Sequence, residues 1–140
     1  MSTSSAPPIR SIDHIHVFVA DRQAAERWYE EVLGFTKVNE YEFWAAGGGP
    51  LTIQNREGTV HIALFERPAQ NCRSTIALGV SATEFLAWRN HLIHVLAQAP
   101  TVEDHDLSVS LYFRDPDGNP YEITTYEYLA AKAGLANSEA

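Results

Sequence analysis

The chain alternates short apolar stretches with two helical patterns. Ile12, His14, His16 and Phe18 alternate with Asp13, Ile15, Val17 and Val19. Both sets are largely apolar, which predicts a strand in a sheet covered on each side. Asp21 stands at a helix N-cap position, and Ala25, Trp28, Tyr29, Val32 and Leu33 mark one face of a helix that Gly34 ends. Strands are predicted over 36–41, 51–54 and 60–66, with a further one starting at 43–46 before Gly47-Gly48-Gly49-Pro50 interrupts. After a linker at 67–73 the pattern restarts: a strand over 74–80, Ser81 or Thr83 as a cap, then Phe85, Trp88, Leu92 and Val95 along a second helix ending before Pro100. Strands follow at 101–103, 107–113 and 120–125, and a helix at 126–133 that Gly134 ends.

The two halves correspond at an offset of about sixty residues, each reading as strand, helix and three strands. The expected fold class is α+β: two tandem βαβββ modules, 11–67 and 73–126, forming a curved mixed sheet with a concave cup. A single domain is expected over 11–126, preceded by a disordered leader at 1–10 and followed by a C-terminal helix and tail at 127–140.

Composition narrows the function classes. A formal charge of −8 with ten Lys and Arg argues against nucleic acid, which needs clustered cations. The lone Cys72 excludes an internal disulfide framework and any multi-cysteine zinc site. No apolar run approaches the roughly 20 residues of a membrane span and no signal-peptide pattern opens the chain, so no membrane partner and a cytoplasmic location are expected. The three successive glycines lack the Lys-Ser/Thr of a phosphate loop and mark a turn.

The most informative stretch is Leu111-Tyr112-Phe113, the turn Arg114-Asp115-Pro116-Asp117-Gly118-Asn119, and the strand Pro120-Tyr121-Glu122-Ile123-Thr124-Thr125. Pro, Asp, Asn and Gly in this order specify a hairpin. Strand alternation puts Glu122 and Thr124 on one face, where a carboxylate is either solvated or held in a pocket. This hairpin resembles the closing hairpin of the vicinal oxygen chelate superfamily, which includes glyoxalase I, extradiol dioxygenases, fosfomycin-resistance proteins and bleomycin-binding proteins. The opening segment 13–21, with Trp28-Tyr29 and Val32-Leu33-Gly34-Phe35, is similar to that superfamily as well.

The resemblance implies a ligand set. The superfamily's first-strand histidine matches His14 and its closing carboxylate matches Glu122, while His61 on the strand at 60–65 matches an additional ligand of glyoxalase I members. Two imidazoles and a carboxylate suit open iron sites and also zinc; manganese and nickel stay open as well. Thr75 falls where the second module usually offers a histidine. The segment 104–113 is similar to the stretch before the hairpin in extradiol dioxygenases, which makes His105 and Tyr112 the catalytic candidates. His16, Phe18, Trp44, Phe65 and Thr75 are the candidate substrate contacts, Arg114 a partner for an anion or a neighbouring acid, and His91 and His94 residues of the second helix's surface and core edge. The implied activity is that of a divalent-metal-dependent enzyme on a small oxygen-chelating molecule, a glyoxalase-like lyase or an extradiol-type dioxygenase, working as a homodimer. A metal-free cup that binds a drug or metabolite, in the manner of bleomycin-resistance proteins, is the alternative, favoured by Thr75 and by the negative charge.

Overall fold

A computed structural model of the chain describes residues 6–68 and 70–138. The leader and tail expected at the termini thus lie partly outside the described residues, and 6–10 are exposed without regular structure. The first module runs β1 (Ile15–Val19), α1 (Arg22–Trp28), β2 (Thr36–Lys37), β3 (Leu51–Gln54) and β4 (His61–Glu66). The second runs β5 (Ile76–Gly79), α2 (Ala82–Val95), β6 (Thr101–Asp104), β7 (Val109–Arg114) and β8 (Pro120–Thr125), and α3 (Tyr128–Ser138) follows. Each module makes its own four-stranded mixed sheet, in the orders β1-β4-β3-β2 and β5-β8-β7-β6. Only the β1·β4 and β5·β8 pairs are parallel.

Local chemistry starts and stops the helices as the sequence requires. Asp21 accepts from the Ala24 amide at 3.1 Å, and Ser81 with Glu84 forms a reciprocal capping box. A π-helical turn, Tyr29–Leu33, extends α1 until Gly34 turns left-handed at φ 72°.

Alternation divides each sheet into a buried and an open face. Val17, Val19, Ile53, Ile62 and Leu64 of the first sheet, and Val109, Leu111, Tyr121 and Ile123 of the second, join Tyr29, Val32, Phe85 and Leu92 of the helices in one core. Each such side chain contributes about 1.5–3 kcal/mol by leaving water. The opposite face of β1, with His16 and Phe18, is exposed. The expectation of a doubly covered β1 therefore fails at His16 and Phe18: helices cover one side of the strand, and among the described residues no helix or sheet covers these two on the other.

The hairpin turn ties the modules together. Tyr29 Oη donates to Asp115 Oδ2 at 2.6 Å, Tyr121 Oη donates to Tyr29 Oη at 2.9 Å, and Asn119 Nδ2 donates to Asp115 Oδ2 at 2.8 Å. The same Asn119 amide reaches the Phe18 carbonyl at 3.1 Å, and Asp117 Oδ1 accepts from the Ala20 amide at 3.0 Å. The buried Asp115 carboxylate also accepts from the amides of Asp117 and Asn119, so its burial is compensated on both oxygens.

Elsewhere the elements differ from the sequence pattern. The strand expected over 36–41 stops at Lys37, and 43–46 forms no strand but part of a 3₁₀ stretch, Asn39–Gly48, broken at Ala46 and Gly47. Arginines from outside the segment claim carbonyls in it and just after it: Arg22 donates to Ala45 O and Gly49 O, each at 3.0 Å, and Arg67 donates to Gly48 O at 3.3 Å. Helix α3 runs through Gly134 to Ser138 because that glycine lets the helix lie directly on Leu86, where a Cβ would collide. No described helix is long and apolar enough to cross a membrane.

Candidate functional site

The open face of the first sheet is a histidine and aromatic surface. The parallel register sets His16 beside Ala63 and Phe18 beside Phe65, and the antiparallel register sets Gln54 beside His61. His16, Phe18, His61 and Phe65 consequently share one face, and His14 extends it one step before the strand. His14 Nδ1 bonds Asp13 Oδ2 at 2.7 Å, and its Nε2 lies 3.0 Å from His16 Nε2. A carboxylate only accepts, so Nδ1 carries the proton of that bond; a neutral His14 then offers an Nε2 lone pair and His16 donates to it. The His16 ring packs on Phe65 at 4.7 Å, and Phe65 meets Phe18 at 5.9 Å and the Arg67 guanidinium at 5.5 Å. His61 Nε2 bonds Gln54 Oε1 at 3.2 Å.

The open face of the second sheet is acidic and hydroxylic. Register aligns Ala77 with Glu122, Tyr112 with Glu122, Ser110 with Thr124 and Glu103 with Ser110. Ser110 Oγ donates to Glu122 Oε2 at 2.7 Å and lies 3.0 Å from Thr124 Oγ1. His105 Nε2 lies 3.0 Å from Tyr112 Oη and 4.0 Å from Glu103 Oε2. Partial burial and then the Glu122 charge raise the Tyr112 phenol above its ordinary range, against the opposing bond from Ser110, so it stays protonated at neutral pH. At one end of this face a cleft of about 570 Å³ is lined by Thr75, Thr101, Tyr112 and Pro120 among others.

The sequence candidates thus fall on two surfaces. His14, His16, Phe18, His61 and Phe65 share one; Thr75, His105, Tyr112 and Glu122 share the other. Among the described residues no three His, Cys, Asp or Glu side chains form a group able to hold a metal, so His14, His61 and Glu122 do not meet within one chain. Trp44 stacks on Tyr41 at 4.5 Å in the 3₁₀ stretch and is not part of either sheet face. Arg114 is engaged by the hairpin, donating to Gly118 O at 2.7 Å, and neither an acid nor an anion is needed to explain it. His91 bonds the Val32 carbonyl at 2.8 Å and His94 the Asn90 carbonyl at 2.6 Å, both away from the open faces. Ser110, fully buried and the direct partner of Glu122, was not a sequence candidate; its even spacing with Tyr112 along β7 was the available signal.

Solved structures with the same fold include a virulence protein from Salmonella typhimurium at 25% identity, covering 86% of this chain and 99% of that one with a TM-score of 0.59. A lactoylglutathione lyase from Agrobacterium tumefaciens aligns at 20% identity over 84% of this chain and 95% of that one, TM-score 0.68. The fosfomycin resistance protein FosX from Listeria monocytogenes, complexed with Mn(II) and 1S,2S-dihydroxypropylphosphonic acid, aligns at 14% identity over 88% and 97%, TM-score 0.66. No curated protein matches the chain. The sequence model of one family spans residues 11–123, both modules with their open faces and the hairpin between β7 and β8, and by that match the chain belongs to the Glyoxalase/Bleomycin resistance protein/Dioxygenase superfamily.

Proposed function

We propose that the protein acts on a small oxygen-chelating molecule at a divalent-metal site assembled from two copies of the chain, the first-sheet face of one protomer closing on the second-sheet face of its partner. The observation that carries this reading is the separation of the donors: imidazoles on one open face and Glu122 on the other, with no group of three His, Cys, Asp or Glu among the described residues. Donor chemistry supports the pairing. His14, His16, His61 and Arg67 lie on or beside the first face, and Glu103 and Glu122 on the second. A two-fold pairing of unlike faces forms two equivalent sites and leaves neither face bare.

The donors fit such an ion. His14 and His16 bring their Nε2 atoms to 3.0 Å of each other, so that both imidazoles would reach one ion once the proton between them is lost. His14, with His16 or His61, and the partner copy's carboxylate equivalent to Glu122 would hold it. When bound, the metal would supply a Lewis acid for two neighbouring oxygens of the ligand. The chain's own residues do the rest. Asp13 fixes the His14 tautomer, Ser110 orients the Glu122 carboxylate, and the protonated Tyr112 phenol with His105 offers a proton beside the cleft at Thr75. Phe18 and Phe65 exclude water on the facing surface. A lyase and an extradiol-type dioxygenase use this arrangement equally well.

A metal-free binder of a cationic molecule is the second reading, favoured by Thr75 where a third imidazole would stand and by the acids of the second face. Complementation separates the two. His14→Ala and Glu122→Ala are each expected to lose bound Mn, Fe, Ni or Zn by elemental analysis, while co-expressed copies recover roughly one ion per four chains, since half the dimers then hold one intact site. No metal in the wild-type protein, and none on titration, sinks the metal reading. Recovery absent in the mixture, with metal present in the wild type, sinks the two-copy site.

A further inference from the structure

We propose that the C-terminal helix is a positioning element of the second-sheet face: Tyr128 and Lys132, acting through Asp104, hold His105 on Tyr112. Helix α3 lies beyond the family match, which ends at residue 123.

The relay runs through a single carboxylate. Asp104 closes the edge strand β6, and its two oxygens face different partners. Oδ2 accepts from Tyr128 Oη at 2.9 Å and pairs with Lys132 Nζ at 2.9 Å. Oδ1 accepts from the Asp106 amide at 2.9 Å. Asp106 is left-handed at φ 69°, the one described non-glycine residue with positive φ. A side chain makes that conformation unfavourable, and Asp tolerates it when the local backbone is hydrogen-bonded. Asp104 supplies that bond. The strained residue in turn closes a tight bend, with the His105 amide on Ser108 O at 2.9 Å and the Leu107 amide on the His105 carbonyl at 2.8 Å.

The bend decides where His105 points. Residues 104–107 are all exposed, so no apolar packing fixes the imidazole. Its side-chain contacts are Tyr112 Oη at 3.0 Å and the more distant Glu103. Helix α3 is by contrast well seated without Asp104. Ala131 and Leu135 are buried, Gly134 lies on Leu86, Glu127 caps α2 through the Ala82 amide at 2.9 Å, and Arg89 reaches Ser138 at 3.1 Å. A firmly docked helix thus holds one end of the carboxylate and an exposed bend hangs from the other.

That His105 and Tyr112 touch a ligand rests on the function proposed above, whereas the relay stands on geometry alone. The test is therefore made on the protein without ligand. In NMR spectra of the full chain with labelled His and Tyr, the ring protons of His105 and Tyr112, whose centroids lie 6.2 Å apart edge to face, are expected to give an NOE cross-peak. Tyr128→Phe/Lys132→Met is expected to abolish it, Asp104→Ala to abolish it likewise, and Lys132→Arg to keep it, with contacts between Gly134 and Leu86 retained throughout. Survival of the cross-peak in Asp104→Ala or in the double variant overturns the proposal. Loss of the cross-peak in both, in a protein that binds neither Mn(II) nor any other ion tested, supports the relay and counts against the proposed function alone.

Discussion

At residue scale the fold depends on a few polar atoms in the core, and Asp115 is the first of them. Tyr29, Asn119 and two backbone amides satisfy its carboxylate, and Tyr121 completes the chain of hydroxyls. Removing one hydroxyl leaves a buried charge short of a donor and Tyr121 without its acceptor. Tyr29→Phe is expected to cost about 1–3 kcal/mol in urea unfolding, although it removes no apolar contact. Burial, then the neighbouring Tyr121 and Asp115, raise the Tyr29 phenol far above its ordinary value of 10, and burial raises Tyr121 as well. Both hydroxyls stay neutral in the fold and ionise only when it opens. Their contribution is whole below about pH 10 and is lost as pH rises past it. Absorbance titration at 295 nm should show the exposed tyrosines ionising reversibly near pH 10 and these two only together with unfolding.

Among the elements, α3 has the most measurable attachment. Lys132, then the Asp106 amide and Tyr128, hold the Asp104 carboxyl at about 2 instead of its ordinary 3.8. A depressed carboxyl stabilises the fold above its unfolded pKa, so this contact is intact above about pH 4 and fades between pH 4 and 2. Hydrogen exchange in β6 and in the first turn of α3 should rise over that window, and Lys132→Met should narrow it. Gly134→Ala tests the seat itself. Alanine gains about 1 kcal/mol of helix propensity, but its methyl displaces Leu86, and the expected result is a net loss of thermal stability. These elements also mark the limit of what the pattern along the chain conveys. Periodicity located β1, both long helices and the β7–β8 hairpin, since each is decided by its own residues. It misassigns 43–46, where the Ala45 carbonyl is claimed by Arg22, more than twenty residues distant. Gly134 read as a stop for the same reason: Leu86 lies outside any local window. The candidate ligands come from the resemblance of the opening strand and the closing hairpin, and the register places His16, Phe18, His61 and Phe65 on one face of the first sheet and Ser110, Tyr112 and Glu122 on one face of the second. What alternation does not carry is which sheet faces which, and so it says nothing of how His14 meets Glu122.

For the molecule as a whole, two open faces and one shared core are a single fact seen from opposite sides. The helices bury their apolar surface between the modules, and the first sheet keeps Phe18 exposed and Phe65 half-buried; size measurement in solution is expected to give a dimer, and disruption at Phe18 or Phe65 to give a monomer without loss of secondary structure. The hairpin turn carries a consequence for synthesis. Tyr29 and its acceptor Asp115 are 86 residues apart, and Asn119 reaches back 101 residues to Phe18. During translation the first module leaves the ribosome with its central phenol unpaired, and about four-fifths of the chain must be made before that partner arrives. The first half is thus born waiting, and a ribosome that stalls between the modules leaves a nascent chain exposed to chaperones and proteases for the length of the pause.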